Sequence, residues 1–245
     1  MTASLPLILL PPSEGKAPGG DGPPWIPGSM SIDLDEHRVA ALIALAKAMR
    51  GSEAARAKLL GVKSRALHTA TEADRDARRS PTRPAIERYT GVLYDALDHG
   101  SLTAAQRRRL DESVVIFSGL WGLVAPSDPI PDYKLKMGAS LPGFGKLSSW
   151  WRDELSARLA ERASSRQVWN LLPIEHAAAW RPPDGLPQWT VHFLERRPDG
   201  SLAAVSHRNK GLKGALVRHL LAHPSIEPAD LRGWGDERDV VLSFI

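Results

Sequence analysis

The sequence predicts a mixed α/β fold: one compact domain over residues 1–245, with a central mixed sheet flanked by helices. Three observations predict it. Short apolar runs, Leu5–Leu10, Val114–Phe117 and Val168–Leu172, have the length and composition of strands buried on both faces. Amphipathic stretches with capping residues lie between them. Thr190–Glu195 and Leu202–His207 flank Pro198-Asp199-Gly200 and read as an antiparallel hairpin, so the sheet is mixed rather than a regular βαβ array. At 245 residues with 42% hydrophobic and 24% charged residues, the chain has the composition of a folded globular protein.

In chain order, Pro11 and Pro12 stop the first strand, and a Gly/Pro-rich loop runs from Ser13 to Gly28, a length typical of functional or mobile loops. Asp33 or Asp35 caps a helix to about Arg50, with Val39, Leu42, Ile43, Ala46 and Met49 on one face. Gly51 closes it, and Ser52 opens a second helix through Leu60. Gly61–Arg83 is polar and basic and reads as a solvated face or connecting loop. Pro84 suits the first turn of a helix carrying Ile86, Tyr89, Val92 and Leu93, and Ser101 or Thr103 caps one carrying Arg107, Arg108 and Arg109. Residues 52–112 thus form a basic, helical subregion. Val114–Phe117 is β-branched and continuous, the clearest strand in the chain. Ser148 caps a helix through Glu161; a last helix spans about Leu212–Ala222, and Val240–Ile245 closes the chain as a strand.

Composition excludes several chemistries. With no cysteine there is no disulfide, thiolate nucleophile, iron–sulfur cluster or redox-sensing thiol. The eight histidines and the acids suggest no dedicated metal site, and no cofactor is expected. The Leu5–Leu10 run is too short for a signal-peptide core or a membrane span, so the expectation is a cytoplasmic protein without a membrane partner. A net charge of +4 permits polyanion binding without requiring it.

Four polar segments stand at the ends of apolar strands, where open α/β sheets place their sites. The first is Ser13-Glu14-Gly15-Lys16, where Lys16 offers a point charge but the Walker A spacing is missing. The second follows the central strand: Ser118, Gly119 and Gly122, then Asp128, Tyr133 and Lys134, which offer an acceptor, a phenol and a cation in one loop. The third, Asn170-Leu171-Leu172-Pro173-Ile174-Glu175-His176, carries a Glu–His pair suited to proton transfer or to a helix start. The fourth puts Arg208, Lys210 and Lys213 at a helix N-terminus, where cations oppose the helix dipole and an anionic partner would compensate.

These segments, in this order, resemble the YaaA family of peroxide stress resistance proteins. PPSEGK resembles the family's "SPAK"-type start, and Tyr89-Thr90-Gly91-Val92-Leu93-Tyr94 lies in a stretch similar to its Y-x-G-x-x-Y helix. Ser118–Gly138, SGLWGLVAPSDPIPDYKLKMG, resembles the signature SGLYGxLxPxDxIxxYRLEMG; NLLPIEH resembles NLASxEY, and HRNKGLKG the basic KxxRG element. Lys134 stands where the family usually has Arg, His176 where it has Tyr, and Lys210 where Arg is common; Lys keeps the charge but loses the planar bidentate fork. The resemblance implies a compact mixed fold with a positively charged cleft, a link to peroxide tolerance through limiting iron-driven DNA damage, and DNA binding by a helix–hairpin–helix-like element. The corresponding stretch is Ala57–Leu67, with Lys58, Lys63 and Arg65 as candidate phosphate contacts.

Two functions compete at this stage. One is sequence-independent DNA binding through Lys58, Lys63 and Arg65, helped by Arg78, Arg79 and Arg107–Arg109. The other is a site for a small anionic or nucleotide-like ligand, enzymatic or not. Lys16, Ser118, Asp128, Tyr133, Glu175 and Lys210 are its candidate catalytic groups, and Ser13, Gly119, Lys134, Asn170, Arg208 and Lys213 its candidate binding groups.

Overall fold

A computed structural model describes residues 4–245; the first three residues of the expected 1–245 domain lie outside them. Sheet strands β1 (Leu7–Leu10), β2 (Val114–Ser118), β3 (Gly122–Val124), β4 (Val168–Asn170), β5 (Gln188–Arg196), β6 (Leu202–Ala204) and β7 (Val241–Phe244) form one seven-stranded sheet. The order is β6-β5-β4-β1-β2-β3, and β7 also pairs with β5. The centre is parallel: β1 pairs with β2 (Ile8 opposite Val114) and with β4 (Leu7 opposite Val168), and β4 pairs with β5. The partners β3, β6 and β7 are antiparallel, so the sheet is mixed. Every residue of β1, β2 and β4 is buried, as expected for parallel strands covered on both faces by helices.

The helices α1 (Asp35–Ala48), α2 (Glu53–Leu60) and α3 (Ser64–Asp76) come first. The Ser52 hydroxyl accepts from Ala55 N at 3.3 Å to start α2, and Gly61 ends it in the left-handed conformation, φ +66°. The stretch expected as a solvated loop after Gly61 is largely α3, which buries Leu67, Ala70, Thr71 and Asp74. The face expected on α1 is also rotated: Ile43 is exposed, while Arg38, Ala41, Leu42 and Leu45 are buried. The helix expected after Pro84 is broken in two, Ala85–Arg88 and Val92–Leu97, by Gly91 at φ +97°. Thr103 caps Ala104–Ser113 with a full capping box to Gln106. Ser148 does not cap: it is buried within a short helix, Leu147–Trp150, that precedes Arg152–Ala163. The last long helix starts earlier than expected, at Asn209.

Two arginines with no exposed surface hold the irregular segments. Arg38 donates to the carbonyls of Ile32 (2.7 Å), Leu123 (2.9 Å) and Trp121 (3.2 Å). Arg88 donates to the carbonyls of Ala17, Gly19 (2.6 Å) and Ile130 (3.2 Å), tying the loop after β1 to the segment after β3. Loop carbonyls that water would otherwise solvate are satisfied by one guanidinium, which lets long loops pack as core. No helix among the described residues is long and apolar enough to cross a membrane.

Candidate functional site

Because β1, β2 and β4 run parallel and adjacent, their carboxyl ends open at one edge of the sheet. The segments that leave β1 and β4 there, with residues 133–136 returning past Gly119, line a hollow of about 80 Å³: Pro12, Ser13, Glu14, Lys16, Tyr133, Lys134, Leu135, Lys136, Glu175 and His176.

Lys16 is positioned by a backbone bridge to Tyr89, with Thr90 N donating to Gly15 O at 3.1 Å and Ala17 N to Arg88 O at 2.8 Å. Its Nζ donates to Ser13 O at 3.0 Å and sits 4.3 Å from the centre of the Tyr133 ring. Burial pushes this amine down to about 8, only partly opposed by Asp132 and the other acids nearby. Behind it is a buried hydroxyl chain: Tyr133 OH lies 2.7 Å from both Ser118 Oγ and Tyr89 OH, and Ser118 Oγ accepts from Trp121 N at 3.0 Å. Burial pushes Tyr89 up to about 12 and Tyr133 well above its ordinary value, so both phenols stay protonated at neutral pH.

The rim is ionic. The Glu14 carboxylate, largely exposed, bridges Lys136 at 2.8 Å and Lys134 at 3.6 Å, and the hydrogen bond from Lys136 leads in lowering its pKa. Asp74 reaches the back of this rim from α3. One oxygen accepts from Lys134 N at 2.7 Å, and the other is buried without a partner. Burial raises Asp74 to about 7 against the pull of the Lys134 amide and of Lys16. Glu175 accepts from Gly138 N at 2.7 Å, a contact a side chain at 138 would obstruct, since its Cβ would meet the Glu175 carboxyl at 2.8 Å. His176 is pushed down to about 4 by burial and is neutral at pH 7. Close by, Lys213 donates to Leu171 O at 2.6 Å, and burial lowers it to about 8.

Of the residues singled out from the sequence, the fold brings Ser13, Lys16, Tyr133, Lys134 and Glu175 to the hollow, with Ser118 beneath Tyr133. Others have structural employment elsewhere. The buried Asp128 carboxylate accepts from Ser31 N, Ser31 Oγ and Ala125 N, each at 2.7 Å, which ties the loop before α1 to the turn after β3. Gly119 is required by a backbone crossing: its Cβ would lie 2.5 Å from Lys136 C, so it lets the Leu135–Met137 strand of chain pass, not a ligand. Asn170 accepts from Leu172 N at 3.0 Å to turn the chain out of β4. Arg208 is engaged by the Arg238 carbonyl at 3.1 Å, and Lys210 is exposed and outside the lining; Lys213 is the cation of this helix that reaches the strand ends. Glu14, Lys136 and Asp74 were not singled out. The first two flank residues that were, but Asp74 carries no local signal.

The second feature is the elbow between α2 and α3, Gly61-Val62-Lys63. Lys58, Lys63 and Arg65 are exposed there, and none forms an ion pair among the described residues. Ser64 takes φ +52°, the left-handed region where a glycine would be free of strain. The Arg107–Arg109 cluster is partly consumed, Arg107 by the Leu102 carbonyl at 2.9 Å and Arg109 by the Leu221 carbonyl at 2.8 Å. His219 and His223 stand four residues apart in the sequence, and their ring centres lie 4.5 Å apart. Among the described residues no group of three His, Asp or Glu side chains could hold a metal ion.

The fold and site define an α/β protein whose ionisable groups gather at the carboxyl ends of parallel strands, with three exposed cations at the α2–α3 elbow. The family described as peroxide stress protein YaaA matches residues 7–239, nearly the whole described chain. The chain belongs to that family. It is 42% identical over 222 residues to a UPF0246 protein of Streptomyces coelicolor, covering 88% of this chain and 83% of that one. It is 37% identical over 218 residues to a UPF0246 protein of Corynebacterium glutamicum (87% and 84% covered), and 32% over 174 residues to one of Cereibacter sphaeroides (69% and 67%).

Proposed function

We propose that this protein acts in the peroxide-stress response by holding DNA through the α2–α3 elbow, without sequence preference, and so shields it from iron-driven damage. The supporting observation is the elbow itself: a glycine-terminated helix and a tight turn that present three exposed cations, Lys58, Lys63 and Arg65, with no acidic partner among the described residues. In such hairpins the backbone amides and nearby cations meet phosphates, which positions the duplex without reading bases. If each of the three cations neutralises one phosphate, raising salt fourfold weakens binding roughly 40-fold. Fluorescence anisotropy on a labelled duplex across a salt series measures this. Changing Lys58, Lys63 and Arg65 to Gln should flatten the slope and remove protection of plasmid DNA from ferrous iron and peroxide. An unchanged slope in that variant sinks the proposal.

A second function is favoured by a separate observation. The strand-end hollow holds a carboxylate of the protein itself, Glu14, between Lys134 and Lys136. The same cations would take a small anionic ligand in its place. Acetate titrated against the Glu14→Gln protein, followed by chemical shifts of the Lys134 and Lys136 amides, tests this; no saturable shift would end it.

A further inference from the structure

We propose that the strand-end hollow is a carbonyl-condensing site, in which the Lys16 amine forms an imine with a small aldehyde acid or 2-oxo acid whose carboxylate replaces Glu14 at Lys134 and Lys136. This rests on the second function above and narrows it. Size sets the first limit. The hollow is small, about 80 Å³, which suits an acid of a few heavy atoms better than a nucleotide.

The surroundings of Lys16 set the second. The two fully buried arginines are saturated: Arg38 and Arg88 each serve three or more backbone carbonyls. Lys16 makes one bond, to a neutral carbonyl, rests on the face of Tyr133, and has no carboxylate within ion-pair distance among the described residues. Burial outweighs the cation–π contact with Tyr133 and brings this amine down to about 8, so about a quarter of it is free base at pH 7.5. It lines the same hollow as the two lysines that grip a carboxylate, so one ligand with an acid group and an adjacent carbonyl meets both requirements.

The chemistry balances without a redox partner. The Lys16 Nζ lone pair attacks the carbonyl carbon, the C=O electron pair moves to oxygen, and the proton leaving nitrogen ends on that oxygen to give a carbinolamine. A second proton, taken from solvent, converts the hydroxyl into departing water, and the iminium left behind returns its N–H proton to solvent to give the imine. His176 lines the same hollow and is neutral at pH 7, so it adds no charge beside Lys16.

The test is reductive trapping with glyoxylate as the probe. The full-length protein is treated at pH 7.5 with limiting glyoxylate and cyanoborohydride, and carboxymethyl-lysine is located by peptide mapping. Lys16 should be modified at least about tenfold faster than exposed Lys58 or Lys63, because a far larger fraction of it is unprotonated. Glu14→Gln, a surface change that leaves the core intact, should raise the Lys16 rate about fivefold by removing the competing carboxylate. It should raise labelling by formaldehyde, which has no acid group, by clearly less, because Glu14 is the weakest of the charges acting on Lys16. Label spread over exposed lysines with no excess at Lys16, or no response to Glu14→Gln, overturns the proposal. If acetate shifts the Lys134 and Lys136 amides while Lys16 stays unlabelled, anion binding stands and condensation falls. If acetate also fails, both fall.

Discussion

The hollow and the α2–α3 elbow carry the same sign of charge in opposite surroundings. At the elbow, Lys58, Lys63 and Arg65 are exposed and form no ion pair among the described residues, and their attraction for a polyanion is long-ranged, additive and screened by salt. At the strand ends, Lys16 is enclosed by an aromatic ring and a carbonyl, and Lys134 and Lys136 are already paired with Glu14. The charge on Lys16 is costly to bury and sensitive to pH rather than to salt. A single count of basic residues merges two devices that the fold keeps apart.

Enclosed positions should therefore govern stability and its pH dependence, and exposed ones should not. The largest expected effect is at Arg88. Arg88→Met strands the carbonyls of Gly19 and Ile130 and should cost about 3 kcal/mol or more in urea unfolding, with no dependence on salt. A loss below about 1 kcal/mol would show that the loops carry themselves.

Next comes pH. Lys16 has a folded pKa near 8, below the value of 10.5 for an exposed lysine, so between those limits the unfolded chain binds more protons and stability rises with pH. The penalty for burying the charge is fully present below pH 8. Lys213, also near 8, acts in the same window. Lys16→Met should recover up to about 3 kcal/mol at pH 7 and flatten the rise between pH 8 and 10. Asp74 has the opposite slope: its carboxyl is raised to about 7, so its contribution is full below pH 4 and is lost as pH climbs through 7. Asp74→Asn should stabilise the protein at pH 8 and have little effect at pH 4.

The smallest expected change is at the elbow. Ser64→Gly relieves a left-handed serine and should add about 1 kcal/mol without altering the salt slope of DNA binding. A destabilised variant would mean that the serine side chain, rather than the turn shape, holds the elbow.

How much of this was legible in the sequence follows the same division. Val114–Ser118 and Leu7–Leu10 announce themselves, because a β-branched or leucine run that must be covered on both faces has no other reading. The hairpin of β5 and β6 and the Ser52 and Thr103 caps were visible through local turn and capping chemistry. Helix α3 was hidden because its buried face is Ala70, Thr71 and Asp74, small or polar residues with Leu67 the one large apolar side chain. Arg38 and Arg88 could not be read as core residues at all. Their partners are carbonyls such as Trp121 and Ile130, 83 and 42 residues away, and only the folded loops bring them together. At the site, Lys16, Tyr133, Lys134 and Glu175 stand out as strand-end residues. Asp128 and Gly119 looked like ligand-facing groups because a buried turn and a backbone crossing ask for the same residue types as a binding loop does.

The separation of the two cationic regions is tested most directly by the salt slope of duplex binding in two parallel variants. One carries Lys63→Gln with Arg65→Gln, the other Lys134→Gln with Lys136→Gln. The slope should fall by about 2 in the elbow variant and stay at the wild-type value in the hollow variant. A fall in the hollow variant, with the elbow variant unchanged, would place DNA at the strand ends and contradict the division on which the account stands.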